Sequence, residues 1–212
     1  MDSIFLKRAI YPKKFHDGTW ITAEKDTEYA FWTEGDIAYL SFQGSTSVTD
    51  WIYNLIFIPI YRHYFVHRGI YKKYSYIKEE INEFIGNNLD KKIIFTGHSQ
   101  GAGMALIAMV YSLRERDAIN AGAVLFGCPK IFNLPSWFFL KKYNKKIVSF
   151  KIRTDIIPMV LPTNASLGTT IKLGPSKPIW KWKPSDHFPS TYDDYYEEID
   201  SKSEELINSI MR

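Results

Sequence analysis

A serine flanked by two glycines is the first candidate for a chemical role. Residues 97–101 read Gly-His-Ser-Gln-Gly, a G-x-S-x-G pentapeptide centred on Ser99. It directly follows a short apolar run and directly precedes a run rich in Ala, Met and Leu. That order predicts a strand, a sharp turn and a helix, the setting of a nucleophile elbow, whose glycines avoid collisions between closely packed backbones. The alternative is a small-residue turn between two buried elements.

One histidine follows this serine in the sequence. A serine hydroxyl needs a general base, and the base needs a carboxylate to orient it. In hydrolases with a nucleophile elbow, the order along the chain is Ser, then Asp or Glu, then His. Of the five histidines, His187 alone lies downstream of Ser99 and is therefore the predicted base. His98, inside the elbow, is expected to pack or hydrogen-bond locally.

Asp155 is the predicted third member of the group. It follows an apolar run at 147–152 and precedes Ile-Ile-Pro, which places a carboxylate at the carboxyl end of a core strand. Its competitors are Glu115 and Asp117 at a helix end and Asp186 beside the base. The alternative for Asp155 is a loop-capping role.

The apolar pattern predicts the elements that position these residues. Apolar side chains recur at three- and four-residue steps from Gly69 to Ile85, as on one face of an amphipathic helix. Three short runs are largely apolar, which is typical of strands buried on both faces. The elements predicted are a hairpin at 28–42, helices at 69–86 and 101–116, strands at 93–96, 121–126 and 147–152, and one or two polar helices from residue 190.

These alternating elements predict an α/β protein with a mostly parallel sheet flanked by helices on both faces. The 212 residues contain no repeat and no long linker, so we expect a single domain over residues 1–212. Residues 93–113 carry no charged side chain, but their glycine-rich break at 96–103 favours a strand, turn and helix over a membrane span.

The composition excludes several kinds of protein. A single cysteine, Cys128, rules out an intrachain disulfide framework and a multi-cysteine metal site, and no metal-ligand spacing is present. We therefore expect neither a metal nor an organic cofactor. The N-terminus lacks the apolar run of a signal peptide, which favours a cytoplasmic or otherwise intracellular location, with secretion by a non-standard route as the alternative.

Charge is unevenly distributed along the chain. From Ser190 onward, seven acidic residues against Lys202 and Arg212 give a formal charge of −5, which leaves +9 on residues 1–189. A basic body fits contact with anionic phospholipid headgroups, although solvated surface lysines are the commoner explanation of such a charge. The lysines are dispersed and match no nucleic-acid-binding motif, so no nucleic-acid partner is expected.

Seven short segments, in collinear order, match a known set of motifs. They lie at 41–45 (Ser-Phe-Gln-Gly-Ser), 48–55, 66–71, 94–102, 125–130, 153–158 and 186–192. Together they resemble the class 3 lipase family, the fungal-type triacylglycerol lipases of the α/β-hydrolase superfamily. The resemblance covers about residues 37–195.

The resemblance implies site roles residue by residue. Ser99, Asp155 and His187 would be nucleophile, acid and base. The oxyanion hole would consist of the backbone N–H groups of Ser45 and Gln100. The lid and substrate-binding region would include Trp51, Leu55 and His67. Two departures from the family pattern are Gln43 in place of Arg and Gln100 in place of a hydrophobic residue, and the second predicts a more polar acyl pocket.

The implied activity is that of a serine carboxylic-ester hydrolase acting on lipid acyl esters through an acyl-enzyme intermediate. Two alternatives are a phospholipase A1 or acyltransferase on the same fold, and a catalytically silent lipid-surface binding protein. Aromatic clusters at 56–61 and 137–140, the second followed by lysines, favour long acyl chains and contact with a membrane or lipid-droplet surface. The alternative for the second cluster is a core helix with a solvated basic end. Residues 180–183, Trp-Lys-Trp-Lys, are interpreted either as lining the pocket mouth or as an edge strand. The oligomeric state is left open.

Overall fold

The structure is a computed structural model that describes residues 4–10, 21–23, 27–44, 61–62, 66–116, 118–159 and 164–210. Within these residues the helices are α1 (Ile4–Ile10), α2 (Arg68–Gly86), α3 (Gln100–Glu115), α4 (Leu134–Leu140) and α5 (Tyr196–Ser209). The strands are β1 (Ile21–Ala23), β2 (Thr27–Glu34), β3 (Ile37–Phe42), β4 (Tyr61–Arg62), β5 (Val66–His67), β6 (Lys92–His98), β7 (Ala121–Phe126), β8 (Phe132–Asn133), β9 (Ile147–Ile152), β10 (Asn164–Ala165) and β11 (Thr169–Leu173).

The main sheet has the strand order β1-β2-β3-β6-β7-β9-β11 among the residues described. The pairs from β3 to β11 are parallel, and β1 and β2 add an antiparallel edge. A smaller antiparallel sheet has the order β10-β8-β5-β4. Because the four parallel pairs run in the same direction, the carboxyl ends of β3, β6, β7 and β9 meet at one edge of the main sheet.

Two apolar cores lie on opposite faces of the main sheet. On one face α3 packs against β3, β6 and β7, and α2 packs mainly against α3. The helix α2 buries the stripe predicted from its spacing, Ile70, Tyr74, Ile77, Ile81 and Ile85. On the other face α1 and α5 cover the second core, and Asp200 of α5 accepts hydrogen bonds from the backbone at the start of α1. Helices on both faces confirm the predicted fold class.

Most of the predicted elements are confirmed with boundaries that shift by one or two residues. The hairpin is β2 and β3, joined at Gly35, whose φ of 58° suits a glycine turn. The strands β7 and β9 have the predicted bounds. From residue 189 onward a 3-10 helix (Pro189–Tyr195) leads into α5. The helix α5 buries an apolar face in the second core.

Two features differ from the expectations. The strand β11 was not predicted, because its Thr-Thr-Ile-Lys-Leu sequence is short and its apolar face consists of Ile171 and Leu173 alone. Residues 180–183 do not form the edge strand considered for them; a 3-10 helix (Ile179–Lys181) occupies this region, and Trp180 is 80% exposed. The single-domain assignment stays a prediction. Across the described ranges, every helix falls short of the length and apolarity that a membrane crossing requires.

Candidate active site

Ser99 lies in a strained turn between β6 and α3. Its φ of 58° and ψ of −122° make it the one non-glycine residue with positive φ in the described part of the chain. An ordinary L-residue adopts such a backbone only where the surrounding structure enforces it. The Ser99 N–H donates to the Phe126 carbonyl of β7 at 2.9 Å, which fixes the turn to the neighbouring strand.

The two glycines of the pentapeptide have no space for a side chain. A Cβ on Gly97 would lie 2.6 Å from the Gly101 carbonyl carbon. A Cβ on Gly101 would overlap the backbone oxygen of Phe42 at the end of β3. The G-x-S-x-G spacing is therefore required by the approach of β3, β6 and α3 at the elbow.

The end of β3 also brings the chain to the candidate nucleophile. A Cβ on Gly44 would lie 2.9 Å from the His98 carbonyl oxygen and 3.6 Å from Ser99 Cβ. Ser45 follows directly but lies outside the described residues. Gln100 is the first residue of α3, where helix N–H groups and the helix dipole favour negative charge. The oxyanion roles of Ser45 and Gln100 stay predictions.

Asp155 and His187 form a buried pair. The distance between His187 Nδ1 and Asp155 Oδ2 is 2.8 Å, and both residues are 0% exposed. Asp155 follows β9 in a turn, and its other oxygen, Oδ1, accepts a hydrogen bond from the Ile157 N–H at 2.9 Å. Because both carboxylate oxygens are engaged, the carboxylate is fixed. With Nδ1–H donating to it, Nε2 of His187 is left to act as a base.

The two atoms that would exchange a proton, Ser99 Oγ and His187 Nε2, are both buried. Ser99 is 1% exposed, and within the residues described neither Ser99 Oγ nor His187 Nε2 has a hydrogen-bond partner. Catalytic hydrogen bonds are often long in unliganded enzymes and shorten when substrate binds. No competing hydrogen bond from the described residues would have to break before Nε2 accepts the Ser99 proton.

His98 holds the segment that carries His187. Its Nε2 lies 2.8 Å from the backbone carbonyl of His187, and the two ring centroids are 4.7 Å apart. Burial first, and then the neighbouring His187, lowers the pKa of His98 to about 3. His98 is therefore neutral at physiological pH, and its Nε2–H donates to that carbonyl. This local hydrogen bond confirms the expectation for His98.

Two further residues shape the surroundings of His187. Gly127 has a φ of 55°, and a Cβ there would lie 2.7 Å from His187 Cε1. Tyr192 is fully buried and makes edge-on ring contacts with Phe126 and His98. Burial first, then Asp155, raises the pKa of Tyr192 well above its ordinary value, so it stays a neutral phenol. Both residues lie in segments that carry the family resemblance, but the sequence assigned neither a role.

The residues predicted for the lid have mixed outcomes. Trp51 and Leu55 lie outside the described residues. His67 is buried at the start of α2, where its Nδ1 accepts a 3.5 Å hydrogen bond from the Ile70 N–H. Burial lowers the pKa of His67. The structure thus gives His67 a helix-capping contact, and its substrate-binding role stays a prediction. In the described ranges no group of three or more His, Cys, Asp or Glu side chains could hold a metal ion.

Comparisons with known proteins show the family and the fold of this chain. A family model described as lipase (class 3) matches residues 39–165, more than half of the chain. A lipase from Rhizomucor miehei is 29% identical over 117 residues, which make up 49% of this chain and 31% of that lipase. Lipase II from Rhizopus niveus has a TM-score of 0.68 at 18% identity, covering 79% of this chain and 76% of that one.

A solved triacylglycerol lipase, described as having a serine protease triad at its catalytic centre, has a TM-score of 0.65 at 21% identity. That match covers 73% of this chain and 64% of the other. The chain therefore has the α/β-hydrolase fold of these lipases, and its match spans about a third of the length of the curated Rhizomucor relative.

Proposed function

We propose that this chain, which belongs to the class 3 lipase family, hydrolyses acyl esters of lipids through Ser99, His187 and Asp155. The observation that carries the proposal is the buried 2.8 Å contact between His187 and Asp155, combined with a serine in a strained strand–turn–helix elbow whose neighbour His98 lies 2.8 Å from the His187 carbonyl. The triacylglycerol lipase with a serine protease triad, which has the same fold, supports the same assignment.

The proposed mechanism begins with proton transfer from Ser99 to Nε2 of His187 as Oγ attacks the ester carbonyl. Asp155 keeps the proton on Nδ1 and stabilises the imidazolium that forms. The backbone N–H groups of Gln100 and Ser45 would hold the oxyanion of the tetrahedral intermediate, each donor typically worth a factor of ~10²–10³ in rate. His187 then protonates the leaving alcohol, and water attacks the acyl-enzyme with the same base.

Substrate access requires a conformational change. Ser99 is 1% exposed and His187 is fully buried, so an ester cannot reach Oγ in the conformation described. Opening of part of the chain would expose the site and admit an acyl group. The helix α4 offers a surface for the lipid phase: Phe138 and Phe139 are exposed, and the Lys141 ammonium lies 5.2 Å from the centre of the Phe138 ring. Apolar rings beside lysines suit the interface of an anionic lipid layer.

Replacing Ser99 with Ala tests the nucleophile. We expect hydrolysis of p-nitrophenyl esters, from short to long acyl chains, to fall by about 10³-fold or more, because the acyl-enzyme cannot form. Ser112→Ala is the matched control, since Ser112 is a buried serine on α3, the helix that follows Ser99, and its hydroxyl donates to the Ala108 carbonyl. Equal rates for wild type and Ser99→Ala would overturn the assignment.

A fluorophosphonate probe separates the hydrolase from a silent lipid binder. The proposal expects a covalent adduct on the peptide that contains Ser99, found by mass mapping. Lack of an adduct after exposure to the probe together with a lipid emulsion would favour the binder. Turnover of triacylglycerol emulsions against anionic phospholipid vesicles would then distinguish a lipase from a phospholipase A1.

A further inference from the structure

A cavity lined by three lysines lies on the sheet beyond the candidate active site. Its volume is about 280 Å³, slightly below the range usual for small-molecule sites (~300–1,000 Å³). No Asp or Glu occurs among the described residues that line it. Its polar lining consists mainly of Lys130, Lys151, Lys172, Ser149, Ser166 and Thr170.

The pairing of β9 with β11 places four of these side chains in a compact array. Lys151 is opposite Lys172, and Ser149 is opposite Thr170, in the parallel register. Adjacent strands are about 4.8 Å apart, so the two lysines are neighbours on one face. Their alternating partners Phe150 and Leu173 point to the second core on the other face. The polar face of β9 and β11 is therefore a row of two ammonium groups beside two hydroxyls.

This array is electrostatically unfavourable without a counter-charge. Like charges on neighbouring strands destabilise a sheet. Lys151 is only 9% exposed, and neither it nor Lys172 makes an ion pair with any described residue. The nearby Asp155 has both oxygens occupied by His187 and the Ile157 N–H. Burial lowers the pKa of Lys151; Asp155 opposes this shift, whereas Lys172 and Lys130 add to it.

We infer that this cavity binds a phosphate group, either as free phosphate or as the headgroup of a phosphate-bearing lipid. The Lys151 and Lys172 ammonium groups and three hydroxyls offer more donors than the two oxygens of a carboxylate can accept, whereas a phosphate monoester has three acceptor oxygens and a charge of about −1.5 to −2. The volume suits a headgroup and is too small for a whole lipid. The binding is separate from ester hydrolysis and uses none of the residues proposed for the mechanism.

Calorimetry at constant ionic strength tests the site with two ligands. The first is inorganic phosphate, and the second is phosphatidylcholine vesicles with and without phosphatidic acid. Lys151→Gln and Lys172→Gln should each weaken binding by about tenfold or more, because each removes hydrogen bonds to a charged ligand. Lys91→Gln, which removes the same charge just before the amino end of β6, should leave binding unchanged.

The outcomes are distinct. Phosphate binding that is lost in the two variants supports a site for free phosphate. Binding only to vesicles with phosphatidic acid, lost in the same variants, supports a lipid headgroup. Absence of binding to either ligand, or equal weakening by Lys91→Gln, would overturn the inference. Since Lys172 lies at the exposed rim of the cavity, its variant keeps the test valid if Lys151→Gln folds poorly. Ser99→Ala should retain phosphate binding, which separates this test from that of the proposed hydrolysis.

Discussion

The elbow around Ser99 and the pair formed by Asp155 and His187 are built in different ways. The elbow is a contiguous stretch of sequence, and close packing between backbone segments at Gly97 and Gly101 maintains its conformation. The pair joins two segments 32 residues apart in the chain, and side-chain packing from Gly127, His98 and Tyr192 positions it. A change in the elbow should therefore damage the fold, whereas a change beside the pair should damage activity first.

Gly101→Ala should have the largest effect. The new Cβ would overlap the backbone oxygen of Phe42, and neither backbone can move without distorting β3 or α3. We expect a loss of about 3 kcal/mol in the free energy of unfolding, the upper end for overpacked sites, together with loss of ester hydrolysis. Urea denaturation and an esterase assay measure both.

Gly86→Ala is the control for Gly101→Ala. Gly86 is also helical, but a Cβ there would meet no atom within 4 Å. Alanine at Gly86 should leave stability unchanged or raise it slightly, since it favours the helix. If Gly101→Ala were as stable as Gly86→Ala, close backbone packing would not be what specifies the elbow.

Gly127→Ala should affect activity more than stability. A Cβ would lie 2.7 Å from His187 Cε1, so the imidazole must shift, and a displacement of about 1 Å can lower the rate by about 10²-fold. The positive φ adds a backbone cost of about 1–2 kcal/mol. Gly35→Ala has nearly the same φ with open space around the Cβ, so it should show the backbone cost with normal kcat. Equal activity in the two variants would contradict the proposed contact.

The pH dependence of stability should reveal His98. Its pKa is about 3 in the folded chain against an ordinary value of 6.5, so the unfolded chain binds the extra proton as the pH falls below 6.5. The stability that neutral His98 contributes is present above pH 6.5 and is lost as the pH falls towards 3. Between about pH 7 and 4.5, wild type should lose about 2–3 kcal/mol more than His98→Gln. If urea denaturation gave the same pH dependence of unfolding free energy for wild type and His98→Gln, the predicted contribution of His98 would be wrong.

The candidate catalytic residues could be identified from the sequence, because each is marked either by its immediate neighbours or by its order along the chain. Ser99 is marked by its glycines, Asp155 by the end of an apolar strand, and His187 by being the one downstream histidine. The structure brings the last two into contact at the predicted edge of the sheet. The parallel strands were predictable because β7 is apolar throughout and β6 and β9 are largely apolar.

The remaining features depend on packing that a sequence does not encode locally. Gly127 leaves space for the ring of His187, and Tyr192 packs against the rings of Phe126 and His98. The strand β11 was missed because two alternating apolar residues, Ile171 and Leu173, are a weak signal, and its pairing with β9 is visible only in the fold. The lysine cavity was equally hidden, since its members come from separate segments of the chain that meet on one face of the sheet.

The hydrogen bond between His98 and the His187 carbonyl spans 89 residues of sequence. During synthesis, a nascent chain would therefore contain its candidate nucleophile long before the imidazole needed to activate it. An incomplete chain that ended between these two points could form the elbow and still lack hydrolytic power. Reactivity would arise only when the later segment docks, which couples the onset of chemistry to completion of the fold.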